Sequence, residues 1–238
     1  LFFILTPIIA TFSFLYRVRA EVSIISVIPS SGYVGDTVWV TANITTESDS
    51  YAILFDQKEV CSGTAIGKLV NASFIVPYSV RGLHFITVRV GTSEENANFT
   101  VLTKYSMRTD APKPPIQLQE VNTTSIFLNI TGGGFGATYS ANVTVKTPTD
   151  ATYWVNVFLT NTSDPGNYYN ATPVYPSSEW TPSSANTNYT GTYTISWLEG
   201  TEVKATETFF VGLTNSSKYH RGDSVDIKAV DYPVSYTH

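Results

Sequence analysis

Run after run of this chain alternates apolar and polar residues, as in Thr-Val-Trp-Val-Thr-Ala-Asn-Ile over residues 37–44, and Gly, Pro or Asn tends to punctuate the runs. Alternation with a period of two puts one set of side chains on each face of a strand, so each run reads as a strand with one buried face. A helix needs apolar residues every three or four positions over ten or more residues, and no stretch of the chain repeats in that way. Short strands with turn residues between them build antiparallel β-sandwiches, and the fold class expected is all-β. The strands expected first are 22–28, 37–44, 51–56, 68–76, 84–90 and 97–102. A second set begins at Ile116 and comprises IQLQEV, SIFLNIT, SANVTVKT, TYWVNVFLT, GTYTISWL and ETFFVG. Residues 160–190 hold four prolines and few apolar runs, so they read as a long loop. Its aromatic residues, Tyr168 to Trp180, are expected to pack on one another rather than on a sugar or a neighbour.

The two sets of strands are copies of one pattern. Residues 82–101 and 191–211 both read Gly, any residue, His or Tyr, any residue, Ile, Thr or Ser, then Gly-Thr three residues later and a closing Phe-X-Val. Each is a hairpin turning on its Gly-Thr. The openings match as well: Val27–Ala42 aligns with Leu213–Ala229, placing Gly35-Asp36 on Gly222-Asp223 at the turn that starts a strand. The triplet Arg221-Gly222-Asp223 is thereby accounted for as a turn and not as an adhesion motif.

The expected organisation is a signal peptide over residues 1–20, cleaved after Ala20, because an apolar stretch there ends in Val18-Arg19-Ala20. A first sandwich spans 21–103, a Pro-rich linker 104–115 and a second sandwich 116–212. The first strand of a third sandwich fills 213–238, so the sequence is expected to be a piece of a longer chain.

Charged residues make up only 14% of the chain, against roughly a quarter in ordinary soluble domains. Ser, Thr and Asn take their place, and ten Asn-X-Ser/Thr triplets result: Asn43, Asn71, Asn98, Asn122, Asn129, Asn142, Asn161, Asn170, Asn188 and Asn215. Each is an N-glycan acceptor if the chain is exported, and glycans supply the hydration that charges usually provide. Asn129 lies between Leu128 and Ile130 and is expected on the outward face of its strand. A net charge of −5 with no basic stripe argues against nucleic acid as a partner. The single cysteine, Cys61, makes no intramolecular disulfide and reads as a small buried hydrophobe.

No catalytic constellation emerges. His84 occupies the repeat position that Tyr193 occupies in the second copy, which points to structure. Gly132-Gly133-Gly134-Phe135 lacks the Lys-Ser/Thr of a phosphate loop and reads as a turn or bulge. The acidic residues never take Ca²⁺-loop spacing. The chain is expected to be no enzyme and to use no cofactor or metal.

Pro29-Ser-Ser-Gly32-Tyr-Val-Gly35-Asp36-Thr-Val38, followed by Phe74-Ile-Val-Pro77 and Gly82-Leu-His-Phe-Ile-Thr-Val88, resembles immunoglobulin-like domains of the IPT/TIG type. Together with the signal-like segment, the sequons and the scarcity of cysteine, the chain also resembles the small stalk subunit of the two-component S-layers of Sulfolobales-type archaea. That resemblance implies a structural, glycosylated component of the cell envelope, outside the cell. Its implied partners are a lattice-forming S-layer subunit or copies of itself, and N-linked glycans. It implies membrane attachment only through residues 1–20 or a segment outside this sequence. Two other readings stand beside it: a filament or adhesin subunit joined by strand donation, and accessory domains of a secreted hydrolase.

Overall fold

The computed structural model describes residues 21–47, 49–111, 116–117, 123–212 and 221–222. Among these residues the ordered elements are seventeen β-strands with no helix, and the fold is all-β.

Eight strands form the first sandwich: β1 (Val22–Ile28), β2 (Ser31–Gly32), β3 (Thr37–Ile44), β4 (Ser50–Phe55), β5 (Lys58–Thr64), β6 (Leu69–Ile75), β7 (Gly82–Val90) and β8 (Ser93–Val101). They divide into a three-stranded sheet ordered β1-β3-β6 and a five-stranded sheet ordered β2-β8-β7-β4-β5. That split, with the third strand beside the first and the last strands beside the fourth, is the immunoglobulin-like arrangement. Alternation sets the buried faces. Val38, Val40, Ala42 and Ile44 turn inward along β3, while Trp39 between them stays 55% exposed. Ile24-Ile25 in β1 breaks the alternation, and a register shift between Ile24 and Ser26 absorbs the extra residue as a bulge, leaving Ile25 outward.

The second sandwich comprises β9 (Lys104–Thr109), β10 (Ile116–Gln117), β11 (Thr124–Thr131), β12 (Tyr139–Lys146), β13 (Thr152–Asn161), β14 (Tyr168–Asn170), β15 (Val174–Tyr175), β16 (Gly191–Glu199) and β17 (Glu202–Gly212). They form one continuous path, β10-β17-β16-β12-β13-β14-β11-β15, with β9 paired on β11. The short β14 joins both β13 and β11 and so links the two layers into a single sheet. Inward residues of seven strands make the core, among them Ile126, Leu128, Ile130, Val143, Val145, Tyr193, Ile195, Trp197 and Val211, all fully buried.

Backbone proximity groups the chain into two units that cut across these sheets. The first holds strand β1 with Trp39–Phe74 and Phe85–Ala97, and the second holds Pro29–Val38, Ile75–His84 and the described residues from Asn98 onward.

Two expectations need correction. Lys104–Thr109 is not linker but strand β9, paired antiparallel with β11 from Ile126↔Thr109 to Thr131↔Lys104. Tyr105 and Met107 alternate with polar residues there and pack against the core, a pattern hidden by the prolines that follow. The region 160–190, expected to be a loop, contributes β14 and β15 to the sheet. Its Tyr168, Tyr175 and Trp180 are only 2%, 0% and 1% exposed. The Trp180 indole stands edge-on to Tyr175 with ring centres 5.1 Å apart, and its Nε1 donates to the Val174 carbonyl at 2.8 Å. The aromatics do pack on one another, as expected, and they also fill the core.

Candidate functional site

The repeat in the sequence has a repeat in geometry. In both hairpins the turn glycine takes the left-handed conformation, Gly91 at φ 60° and Gly200 at φ 61°. The same match holds at the strand starts, Gly82 at φ 124° and Gly191 at φ 132°. His84 and Tyr193, the matched pair, are both buried. Each reaches back four residues: Tyr193 donates its hydroxyl to the Tyr189 carbonyl at 3.1 Å, and His84 Nε2 lies 2.8 Å from the Val80 carbonyl. A carbonyl only accepts, so the His84 proton sits on Nε2. This is the corner hydrogen bond typical of immunoglobulin-like sandwiches, made once by Tyr and once by His. His84 is thus occupied by structure.

Gly35-Asp36 forms a closed turn. The Asp36 carboxylate accepts from the Tyr33 amide at 2.8 Å, and the Asp36 amide donates back to the Tyr33 carbonyl at 3.0 Å. Gly35 has φ 92° and Gly222 has φ 100°, whereas Asp223 lies outside the described residues.

Each sandwich also has a short early strand running parallel to its last one. β2 pairs with β8 through Ser31↔Thr100 and Gly32↔Val101, and β10 pairs with β17 through Ile116↔Val211 and Gln117↔Gly212. In the first sandwich the bonds are Thr100 N–H to the Ser30 carbonyl at 3.0 Å and Leu102 N–H to the Gly32 carbonyl at 2.8 Å.

The triple-glycine stretch is a joint within the second unit. Gly133 donates to the Gly166 carbonyl at 2.8 Å and accepts from the Arg81 amide at 3.1 Å. Thr103 donates its hydroxyl to the Gly132 carbonyl at 2.6 Å, and Tyr168 donates to the Gly134 carbonyl at 2.6 Å. Only glycine fits at three of these places. A Cβ on Gly132 would sit within 3.0 Å of the Leu102 carbonyl oxygen, and one on Gly166 within 3.0 Å of the Ser79 carbonyl oxygen. A Cβ on Gly133 would sit 2.6 Å from the Tyr168 ring. The expected turn is therefore a packing device, because backbone approaches backbone too closely for any side chain.

The sequons divide by environment. Asn43 on β3, Asn71 on β6, Asn98 on β8, Asn161 at the end of β13 and Asn188 between β15 and β16 are exposed. Asn129 does face outward but is only half-exposed, because Nδ2 donates to Asn167 Oδ1 at 2.7 Å and to the Tyr168 carbonyl at 3.3 Å. Asn170 is half-buried, its Nδ2 donating to the Phe158 carbonyl at 2.6 Å while its Oδ1 accepts from the Thr172 amide and hydroxyl at 2.7 Å. Asn142 lies on the central strand β12, with Oδ1 buried and unpaired. Asn122, Asn215 and the cleavage position Ala20 lie outside the described residues. Cys61, expected to be buried, is half-exposed on β5, which pairs with β4 at one end of the five-stranded sheet. Among the described residues no group of three or more His, Cys, Asp or Glu is placed to hold a metal ion.

No protein-family model matches this chain, and no curated protein matches it. Solved structures do. A bacterial integrin-binding protein, invasin, aligns at 9% identity over 81% of this chain and 39% of its own, with a TM-score of 0.36. A fibronectin(III)-like module structure of Clostridium thermocellum CbhA aligns at 13% identity over 80% and 93%, with a TM-score of 0.26. The BSP domain of a biofilm-associated protein aligns at 13% identity over 80% and 29%, with a TM-score of 0.24. This chain thus spans well under half of the invasin and biofilm-protein chains.

Proposed function

We propose that this chain is a spacer segment of an extracellular, glycosylated surface protein, of the kind that forms the stalk of an S-layer, and that it bears tension along its length. The observation that carries the reading is the parallel pairing of an early strand with the last strand in each sandwich, β2 on β8 and β10 on β17. Parallel strands leave the sandwich at opposite ends. A pull on the two chain ends therefore loads the hydrogen bonds between them side by side, in shear, and they must fail together. Antiparallel partners pulled from one end would open one bond at a time. The two residues between β8 and β9, Leu102 and Thr103, leave little slack in the chain, and Thr103 is tied to Gly132. Low charge and ten sequons fit a chain whose surface is hydrated by sugar. The partners proposed are a lattice-forming envelope protein or further copies of this chain. Export is proposed to be directed by the apolar stretch within residues 1–20.

Single-molecule stretching tests the mechanical claim. The first sandwich should unfold at a high, reproducible force, and Leu102→Pro should lower that force sharply, because it removes the donor to Gly32. Equal forces for the two proteins would overturn it. Electron microscopy of labelled envelopes tests the location: label in an ordered array or the stalk layer supports it, and label found only in the medium refutes it.

A further inference from the structure

We infer that N-linked sugar is carried on Asn43, Asn71, Asn98, Asn161 and Asn188, and that Asn129, Asn142 and Asn170 stay bare although their triplets are equally good in sequence. The inference rests on the reading of the chain as an exported glycoprotein and adds which side chains serve it.

The chemistry sets the requirement. The Asn Nδ2 attacks the anomeric carbon of a lipid-phosphate-activated oligosaccharide. The C1–N bond forms as the C1–O bond to phosphate breaks, the phosphate leaves with the bonding pair, and one Nδ2 proton passes to base. No electrons are exchanged beyond these pairs. Nδ2 must therefore be reachable, must have a hydrogen free to lose, and must project where a bulky sugar has room.

The five asparagines named are exposed, and none of their side-chain amides is held by a protein hydrogen bond among the described residues. Asn43 and Asn71 stand on adjacent strands of the three-stranded sheet, β3 and β6. The other three fail in distinct ways. Asn129 spends both Nδ2 hydrogens, on Asn167 and on the Tyr168 carbonyl, so adding sugar breaks a bond that ties β11 to β14. Asn170 spends one on the Phe158 carbonyl, and the hydroxyl of its own sequon residue, Thr172, is engaged on Oδ1. Asn142 sits between β13 and β16, opposite Asn156 on one side and Leu198 on the other, with its Oδ1 closed off from solvent. The Asn129 and Asn170 amides are structural, and a half-buried polar group that loses its partner is costly.

The experiment has two arms. Glycopeptide mass spectrometry on the protein isolated from its native cells should find sugar on the five exposed positions. Peptides carrying Asn129, Asn142 and Asn170 should appear unmodified. Sugar on any of these three at an occupancy like that of the five overturns the inference while leaving the glycoprotein reading intact. No sugar at any position overturns both. In the second arm, unglycosylated protein is unfolded in urea. Asn129→Gln and Asn170→Gln should lower the midpoint, whereas Asn43→Gln and Asn71→Gln should leave it unchanged. Equal midpoints for all four contradict the structural role assigned to the bare amides.

Discussion

Gly132, Gly136 and Gly166 share one backbone conformation, with φ of 63°, 65° and 68°, but differ in what surrounds them. A Cβ on Gly136 meets nothing within 4 Å, whereas on Gly132 or Gly166 it meets a backbone carbonyl oxygen at under 3.0 Å. Replacing each by Ala therefore separates two effects. The left-handed conformation alone costs an L-residue ~1–2 kcal/mol, and Gly136→Ala should lose about that much. At Gly132 and Gly166 the methyl group must also displace a carbonyl fixed in the chain, and overpacking of that kind adds ~1–3 kcal/mol. With a urea m-value of ~2 kcal/mol per M, the additional loss moves the midpoint by about 1 M. Urea unfolding followed by tryptophan fluorescence reads it directly, since Trp180 and Trp197 are only 1% and 0% exposed and become hydrated on unfolding. The m-values should be unchanged, so that midpoint shifts measure stability. If the three variants lose the same amount, the triple-glycine stretch is an ordinary turn and the tight joint assigned to it is wrong.

Alkaline pH should destabilise the protein through its buried tyrosines. Burial, with neighbouring tyrosines second, pushes the Tyr175 hydroxyl far above the usual phenol range, and burial likewise raises Tyr193. Unfolded tyrosine loses its proton near pH ~10, while folded Tyr175 keeps it, so that residue's stabilisation is fully present below that pH and is lost above it by about 1.4 kcal/mol per pH unit, with Tyr193 acting in the same direction. Urea midpoints taken from pH 8 to 11.5 should fall more steeply for the native chain than for Tyr175→Phe; parallel lines would contradict the assignment. Trp180→Ala should cost ~3–5 kcal/mol by emptying its core site and leaving the Val174 carbonyl unpaired, and Trp180→Phe clearly less; calorimetry on both variants tests this. The β4–β5 hairpin turns on Asp56 and Gln57, with φ of 47° and 70°, where no glycine is present. Gln57→Gly should therefore raise the melting temperature by relieving ~1 kcal/mol of backbone strain, and a lowered temperature would show that the Gln57 side chain matters more than its backbone.

Most of the strands could be found in the sequence because their signal is local. Thr37–Ile44 and Thr124–Thr131 announce themselves by alternation, and the hairpins at Gly91 and Gly200 by a turn dipeptide. The misses fall where that local signal is masked, short or atypical. β9 was obscured by the prolines after it, and β14 and β15 are three and two residues long, too short to show a period. The β4–β5 turn escaped because its left-handed residues are Asp and Gln rather than the expected glycine.

The candidate site divides along the same line. Ten sequons, a repeated Gly-Asp turn and the equivalence of His84 with Tyr193 are properties of neighbouring residues, and the linear chain displays them all. That Asn129 donates to Asn167, 38 residues away, leaves no trace in the sequence around either residue. Nor does anything around Gly166 reveal that the Ser79 carbonyl lies against it. Alternation tells which face of a strand a residue occupies, because backbone geometry imposes that within two residues. What lies over that face depends on segments brought together from far along the chain, and only packing reveals it.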